Sequence, residues 1–341
     1  MPILPTSSIR TCRGPKRSAA ILLALAAALL AAVLLSLRCG SQNYSFSQLI
    51  GSIGENGPVF RILVHVRIPR TLAAACAGAA LALAGALIQA VLNNAMASPN
   101  IIGVNAGAGF AALLAAVLAP GTAGLTALFS FLGALATALF IYLLAARAGL
   151  SRTTLILAGL AVSSILTAGT NTLTLLFPET VVGATGFLLG GFSGVTLAAV
   201  RGAGIYLIAG ALLALALAVD LNVLQLGEES AAGLGLHVKR VRFLAILAAA
   251  LLAGGAVSFC GLLGFVGLLV PHMARRLLGS DSRWLFPAAM LLGSAFVLVC
   301  DVLARMLFAP FELPVGIVMS LLGGPFFLYL LLGRKRSRIY A

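Results

Sequence analysis

The sequence predicts an all-α integral membrane protein with about ten transmembrane helices. Of its 341 residues, 61% are apolar and only 9% are charged, and the mean hydropathy is +1.13. A soluble domain carries about 25% charged residues, whereas a spanning helix needs roughly 20 apolar residues. The long Ala/Leu-rich runs lack the alternation that is typical of a membrane β-barrel. The composition therefore predicts one helical membrane domain with short loops.

Ten apolar runs predict the membrane spans, and polar segments separate them. The runs lie near 19–37, 71–92, 101–119, 124–146, 153–176, 200–219, 243–260, 265–273, 285–304 and 315–332. We expect a basic tail at 1–18, a single transmembrane domain at 19–333 with a polar loop at 220–242, and a second basic tail at 334–341. The residues Leu37-Arg38-Cys39 lack a small-residue cleavage pattern, so the first run is predicted to remain as a span rather than leave as a signal peptide.

The distribution of Lys and Arg predicts the orientation of the chain, because cytoplasmic loops are enriched in these residues. If both termini are cytoplasmic, the two basic tails and the segments 147–152, 220–242 and 275–283 all lie on the cytoplasmic side. The formal net charge of +14 is concentrated in such clusters between apolar runs. It therefore indicates membrane topology, and no nucleic-acid partner is predicted.

Two arginines are exceptions to this pattern, and we predict a function for them. Arg67 and Arg70 precede the second run on the side that is predicted to be external. Docking of an acidic soluble partner would explain arginines there and points toward an importer. Arg305, near the outer end of the ninth run, is a further candidate for this surface. Asp301 lies four residues before Arg305, so these two side chains can also form a local ion pair.

The fifth run carries uncharged polar residues at three- and four-residue steps, which place them on one helix face. They are Ser163, Thr167, Thr170, Asn171 and Thr174. Two interpretations stay open: hydrogen bonds between helices, worth about 0.6 kcal/mol each, and the lining of a translocation path. A long stripe without charge suits a bulky polar solute and no fixed ion site.

The loop after the sixth run mixes small and charged residues. Gly227 and Gly233 bracket a possible short helix, with Glu228 and Glu229 in its first turn, where the helix dipole favours acidic residues. A short cytoplasmic helix is a natural contact for a motor protein. The alternative is an ordinary loop, because polar Gly-rich stretches usually are loops.

The sequence carries none of the enzyme signatures that we sought. It has no HExxH or CxxC motif, and its five cysteines and three histidines are scattered. It lacks GxxxxGK[ST], so ATP-driven transport would need a separate ATPase subunit. We expect no catalytic residue, no cofactor and no metal site. An ion-coupled secondary transporter would need acids near span centres, and a membrane-embedded enzyme would need a clustered set of polar groups.

Several ordered motifs resemble the permease subunits of the iron-siderophore, haem and cobalamin ABC importers, the FecCD-type family. The resemblance covers about residues 60–341. It rests on Arg67-Ile68-Pro69-Arg70, Gly85-Ala86-Leu87-Ile88-Gln89, Ala97-Ser98-Pro99-Asn100-Ile101-Ile102-Gly103, the 227–235 loop, Gly264-Phe265-Val266-Gly267-Leu268-Leu269-Val270-Pro271-His272 and Glu312-Leu313-Pro314-Val315-Gly316. The chain departs from the family at Asn94-Ala95-Met96-Ala97, where Asn-Pro-Leu-Ala is usual, and at Leu262, where Pro is usual.

The resemblance implies a ten-helix permease of the type II ABC importer kind in a bacterial inner membrane. It implies a dimer, homomeric or with a related permease, and a solute path along the dimer axis bordered by the stripe of the fifth run. It implies ATP-binding cassette ATPase subunits and a periplasmic or lipid-anchored binding protein whose glutamates meet Arg67, Arg70 and, less directly, Arg305. The solute is expected to be a metal chelate: an iron(III) siderophore first, haem or cobalamin otherwise.

The same resemblance implies that the loop after the sixth run rests on the ATPase. The residues that it assigns to this contact are Gly227, Glu228, Glu229, Ala231, Gly233, Leu234 and Gly235.

Overall fold

The computed structural model describes residues 15–40, 44–52, 57–309 and 311–336, and over these residues the regular secondary structure is helical. In chain order the helices are α1 (Pro15–Arg38), α2 (Phe46–Gly51), α3 (Pro58–Ile62), α4 (Ile68–Val91), α5 (Val104–Leu118), α6 (Ala123–Arg147), α7 (Arg152–Leu176), α8 (Pro178–Leu189), α9 (Leu197–Ala216), α10 (Ala218–Leu224), α11 (Glu228–Gly233), α12 (Val238–Cys260), α13 (Val266–Leu278), α14 (Ser282–Met306) and α15 (Val315–Arg336). Most of the predicted basic tails, 1–18 and 334–341, lies outside the described residues.

The predicted all-helical membrane fold is confirmed. Seven helices of the described chain are long and apolar enough to span a membrane, namely α1, α4 with the turns before it, α6, α7, α9, α12 and α14. Of the three other predicted spans, two correspond to the shorter helices α5 and α13, and the third corresponds to α15, in which the apolar stretch is Val315–Tyr329. Helix α13 has 13 residues, about 20 Å at 1.5 Å per residue, so it is shorter than the hydrocarbon core of about 30 Å.

Helix α4 begins further toward the amino terminus than the hydropathy pattern predicts. The run was expected to start near residue 71, but helical structure is continuous from Pro58 to Val91. A wide π-type turn at Leu63–Arg67 joins α3 to α4. Pro69 lies directly after this turn, and its missing N–H is accommodated because the regular hydrogen-bond ladder is already interrupted there. The Arg67 and Arg70 segment is therefore helical and part of the bundle.

The core of the bundle is built on close contacts between glycines of α4 and two neighbouring helices. A Cβ atom at Gly78 would lie 2.3 Å from the carbonyl oxygen of Gly293 in α14. A Cβ atom at Gly85 would lie 1.9 Å from the carbonyl oxygen of Gly267 in α13. Small residues let helices approach closely in lipid, where packing replaces the hydrophobic drive. Most of α4 is consequently buried.

Three helix ends meet at a junction of backbone groups. The N–H of Gly316, in the first turn of α15, donates to the carbonyl of Gly190 after α8 (3.1 Å). The N–H of Leu262, after α12, donates to the carbonyl of Phe187 in α8 (3.0 Å). Proline, which is usual in the family at position 262, has no N–H to donate. The departure at Leu262 therefore adds a hydrogen bond between α8 and the segment after α12.

We predict that Gly85→Ala lowers the stability of the protein by about 1–3 kcal/mol, because the added methyl group would overlap the backbone of α13. Thermal unfolding of the purified protein in detergent measures this loss as a lower midpoint temperature. Gly204→Ala in α9 is the matched control, because no atom lies within 4 Å of the added Cβ. The control is expected to leave the midpoint unchanged or raise it, since Ala favours helix over Gly. Equal midpoints for both variants would contradict the close-packing argument.

Candidate functional site

Two groups of candidate residues lie at opposite ends of the bundle. Helices α4 and α14 pack against each other, and Arg70 at the start of α4 pairs with Asp301 near the end of α14. At the other end, Asn93 after α4 donates to the carbonyl of Gln225, beside α11. Helix α4 has 24 residues, which corresponds to about 36 Å and exceeds the thickness of a hydrocarbon core. The arginines and the 220–242 loop are thus separated by the length of a membrane span.

The first group is an ionic cluster of Arg67, Arg70, Asp301, Arg305 and Glu312, which we call the arginine cluster. Asp301 is fully buried and lies between two guanidinium groups, 3.0 Å from Arg70 Nε and 2.9 Å from Arg305 Nη2. Arg70 Nη1 also contacts Glu312 Oε2 at 2.6 Å. The possible Asp301–Arg305 ion pair is therefore present. Arg70 joins α4, α14 and the segment before α15.

The two other arginines hold the carboxy-terminal end of α1. Arg67 Nη1 donates to the carbonyl of Arg38 (2.8 Å) and to that of Leu37. Arg305 donates to the carbonyl of Cys39 (3.1 Å) and to Ser36 Oγ (3.0 Å). The last carbonyls of a helix lack partners within the helix and carry partial negative charge. Arg67 and Arg305 supply hydrogen-bond donors and positive charge to these carbonyls.

The structure places all three predicted docking arginines in one site but buries most of each side chain. Arg67, Arg70 and Arg305 are 5%, 6% and 4% exposed. They line one cavity of about 310 Å³ together with Glu312. The side chain of Glu312 is 32% exposed and is the more accessible of the two acids. Docking at these arginines stays a prediction, and any incoming carboxylate would have to share guanidinium groups that already contact this chain.

The polar stripe lies along one side of α7. The side chains of Thr167 and Asn171 are exposed, whereas Ser163, Thr170 and Thr174 are half-buried. Each threonine hydroxyl of the stripe donates to the carbonyl four residues earlier in α7 itself. These hydroxyls therefore do not serve as hydrogen-bonded links between helices within the described chain. These bonds therefore give no support to the interpretation that the stripe links helices by hydrogen bonds. The interpretation that it lines a translocation path stays a prediction.

The predicted short helix in the 220–242 loop is present as α11. Gly227 (φ +112°) precedes it, Gly233 is its last residue, and Gly235 (φ +85°) follows two residues later. Glycine adopts such positive φ angles without strain. Ala231 is buried and holds α11 against the bundle, whereas Glu229 and Gly233 are exposed and Leu234 is 68% exposed. Glu228 is also exposed, but it pairs with Arg242 of α12, with Glu228 Oε2 2.8 Å from Nη2. The two glutamates thus have different surroundings.

Glu312 and Arg242 are residues to which the sequence analysis assigned no role. The chain has only eight acidic residues, and three of them form ion pairs with arginines in the described structure: Glu228, Asp301 and Glu312. The scarcity of acids in an apolar chain was a usable signal for Glu312. No comparable signal marked Arg242, because basic residues are abundant in that loop. Among the described residues, no group of three or more His, Cys, Asp or Glu side chains could hold a metal ion.

A helical membrane domain with an ionic cluster at one end and a glycine-bounded helix at the other has the organisation of a transport permease. The sequence profile of the FecCD transport family matches residues 28–333. The chain belongs to this family. It is a transport permease of an ABC importer, not an enzyme, and separate subunits of such importers hydrolyse ATP. The family also implies a substrate-binding partner. The comparisons do not support the alternative of an ion-coupled secondary transporter.

Individual relatives are similar in sequence to this chain over most of its length. The Fe(3+)-citrate import system permease protein YfmE of Bacillus subtilis (strain 168) is 34% identical over 331 residues, 96% of this chain and 99% of the relative. The hemin transport system permease protein HmuU of Yersinia pestis is 35% identical over 309 residues, 89% of this chain and 92% of the relative. A solved structure described as an inward-facing metal-chelate type ABC transporter shows a TM-score of 0.83 at 29% identity, covering 92% of this chain and 99% of that one.

We predict that Asp301→Asn destabilises the protein by about 3–5 kcal/mol, because it leaves two buried guanidinium groups without their shared counter-charge. Thermal unfolding in detergent would show this as a lower midpoint. Glu179→Gln is the control, since this exposed carboxylate forms no ion pair with the described residues. An unchanged midpoint for Asp301→Asn would mean that the cluster does not hold α4 to α14.

Proposed function

We propose that this permease carries a metal chelate into a bacterial cell across the inner membrane, and that an iron(III) chelate is its solute, with haem or cobalamin as the alternatives. The observation that carries this proposal is the set of named relatives. Their names specify import of iron(III) citrate, hemin, iron(3+)-hydroxamate and cobalamin. These solutes are all bulky metal complexes, and the uncharged stripe of α7 suits a bulky solute without a fixed ion site.

The proposed path runs between two permease copies and is bordered by α7. Only Leu155 and Gly159 are buried residues of α7 in the single chain. Asn171 is exposed on α7 in the single chain, and an amide that faced lipid there without a partner would be costly. A second permease copy, identical or related, that encloses a polar path would cover this face. The stripe residues Ser163, Thr167, Thr170, Asn171 and Thr174 are the proposed lining.

The arginine cluster is proposed as the docking site for the binding protein. Its three arginines against two carboxylates leave one net positive charge at the mouth of the cavity. A carboxylate of the partner could enter this cavity and share Arg70 with Glu312, while Asp301 and Arg305 keep the bundle intact. Such charge complementarity contributes mainly to association rate and specificity.

Helix α11 is proposed as the contact for the ATPase, with Gly227, Glu228, Glu229, Ala231, Gly233, Leu234 and Gly235 as its residues. Leu226 and Leu234, on either side of α11, are 66% and 68% exposed. Large apolar side chains on a polar loop suit burial in a partner groove. This assignment puts the 220–242 loop and both termini in the cytoplasm and the arginine cluster outside.

The first experiment is to tag the chain in its native host, purify it in mild detergent and identify the proteins that accompany it. An ATPase with a phosphate-binding loop and a second permease band are the expected results. Uptake of ⁵⁵Fe-labelled ferric citrate and ferric hydroxamate by cells with and without the gene then tests the solute. If cells without the gene take up both iron(III) chelates as well as cells with it, but are defective in haem or cobalamin uptake, the iron(III) assignment is overturned.

We predict that Glu312→Gln strengthens binding of the substrate-binding protein to the permease. The substitution raises the net charge of the cluster from +1 to +2 and removes a carboxylate that competes for Arg70. One unit charge at contact distance is worth about 1 kcal/mol in water, or about fivefold in Kd. Surface plasmon resonance on the permease in nanodiscs measures Kd at several salt concentrations.

Glu179→Gln removes an equal charge from α8, away from the cavity of the cluster, and is expected to change Kd less than twofold. Because misfolding cannot tighten binding, a gain specific to Glu312→Gln would support docking at the cluster. Weaker or unchanged binding would contradict it.

A further inference from the structure

Arg242 connects two separate parts of the cytoplasmic end of the bundle. It lies in the first turns of α12 and is only 4% exposed. Its guanidinium group holds both carboxylate oxygens of Glu228 in α11, with Nη2–Oε2 at 2.8 Å and Nη1–Oε1 at 3.2 Å. The same Nη1 donates to the carbonyl of Leu150, between α6 and α7, at 2.9 Å. In the described part of the chain, no other side chain hydrogen-bonds both α11 and the α6–α7 loop.

The Leu150 end of this connection is well defined. Leu150 is buried and has φ +48°. Residues other than glycine rarely adopt this left-handed backbone conformation. Its N–H donates to the carbonyl of Ala145 (2.7 Å). The next residue, Ser151, caps α7 by accepting from the N–H of Thr154 (3.0 Å). The carbonyl that Arg242 holds is therefore attached directly to the start of α7.

At the other end of the connection, α11 depends on Arg242 for a fixed attachment to the bundle. Helix α11 has six residues, too few to be stable by itself in water. Its exposed surface is available to a partner, so forces applied there must reach the bundle through its few attachments. A bidentate Arg–carboxylate pair is directional as well as strong. Arg242 is buried, whereas the side chain of Glu228 is 55% exposed, so the arginine is the fixed partner of this pair.

We infer that Arg242 is the positioning residue that couples α11 to α7, so that displacement of α11 by the ATPase moves the start of the helix that carries Thr167 and Asn171. This inference rests on the proposed contact between α11 and the ATPase. Helix α7 is suited to respond, since it has few buried residues. Glu228 acts within this connection through its ion pair with Arg242. Glu229, which forms no ion pair among the described residues, is left to contact the partner.

The test compares Arg242→Lys with Arg240→Lys in the purified permease–ATPase complex in proteoliposomes. Lysine keeps the charge but lacks the planar fork that reaches Glu228 and Leu150 together. Arg242→Lys is expected to retain assembly and ATP hydrolysis within about twofold while the solute transported per ATP falls at least about tenfold. Arg240 lies in the same first turns of α12 but is exposed. The Arg240→Lys complex should therefore transport as much solute per ATP as the wild type.

A second measurement does not depend on transport. Spin labels at the exposed positions Ala232 in α11 and Thr153 in α7, in a background with the native cysteines replaced, report the distance between the two helices. Arg242→Lys and Glu228→Gln should both broaden this distance distribution, and Arg240→Lys should not. An unchanged distribution, or a parallel fall of transport and ATP hydrolysis, would overturn the inference. A wild-type complex without ATPase contact at α11 would instead overturn the proposed function.

Discussion

Close backbone contact along α4 determines which helix ends meet at the arginine cluster and at the opposite end of the bundle. Lipid tails are as apolar as the helix surfaces, so helix association in a membrane relies on packing and on hydrogen bonds. Gly78 against Gly293 and Gly85 against Gly267 bring three helices to distances at which no Cβ atom fits. This contact fixes α4 relative to α13 and α14, and thereby fixes what stands at each end of α4.

Charged residues are few and are concentrated where α4 and its neighbours end. At one end, Asp301 is shared by two arginines and ties α4 to α14. At the other end, Arg242 holds the short helix α11 through Glu228. Removing one partner of a buried pair costs far more than the pair contributes by itself. The Asp301 pairs are therefore better understood as fixing geometry than as adding stability. Each of the proposed partner contacts is attached to a buried arginine, Arg70 at one end and Arg242 at the other.

Much of the candidate site could be predicted from the sequence, and the limits are physical. The stripe of α7 followed from helical periodicity, and the short helix between Gly227 and Gly233 followed from its glycines and acids. The partners of the arginines could not be predicted in this way. Arg70 and Asp301 are 231 residues apart along the chain, and Arg70 and Glu312 are 242 apart. No local pattern connects residues at such separations.

The sequence by itself determined the helical membrane class, the approximate spans and the family, because apolar length and ordered motifs are local properties of the chain. Only the tertiary structure decided that Arg67, Arg70 and Arg305 are largely buried and already hydrogen-bonded within this chain, that α4 is continuous with the turns before it, and that Glu228 forms an ion pair whereas Glu229 does not. The reason is that burial and pairing depend on which helices become neighbours. In this chain the neighbours are selected by the close approach of glycine backbones distant in sequence.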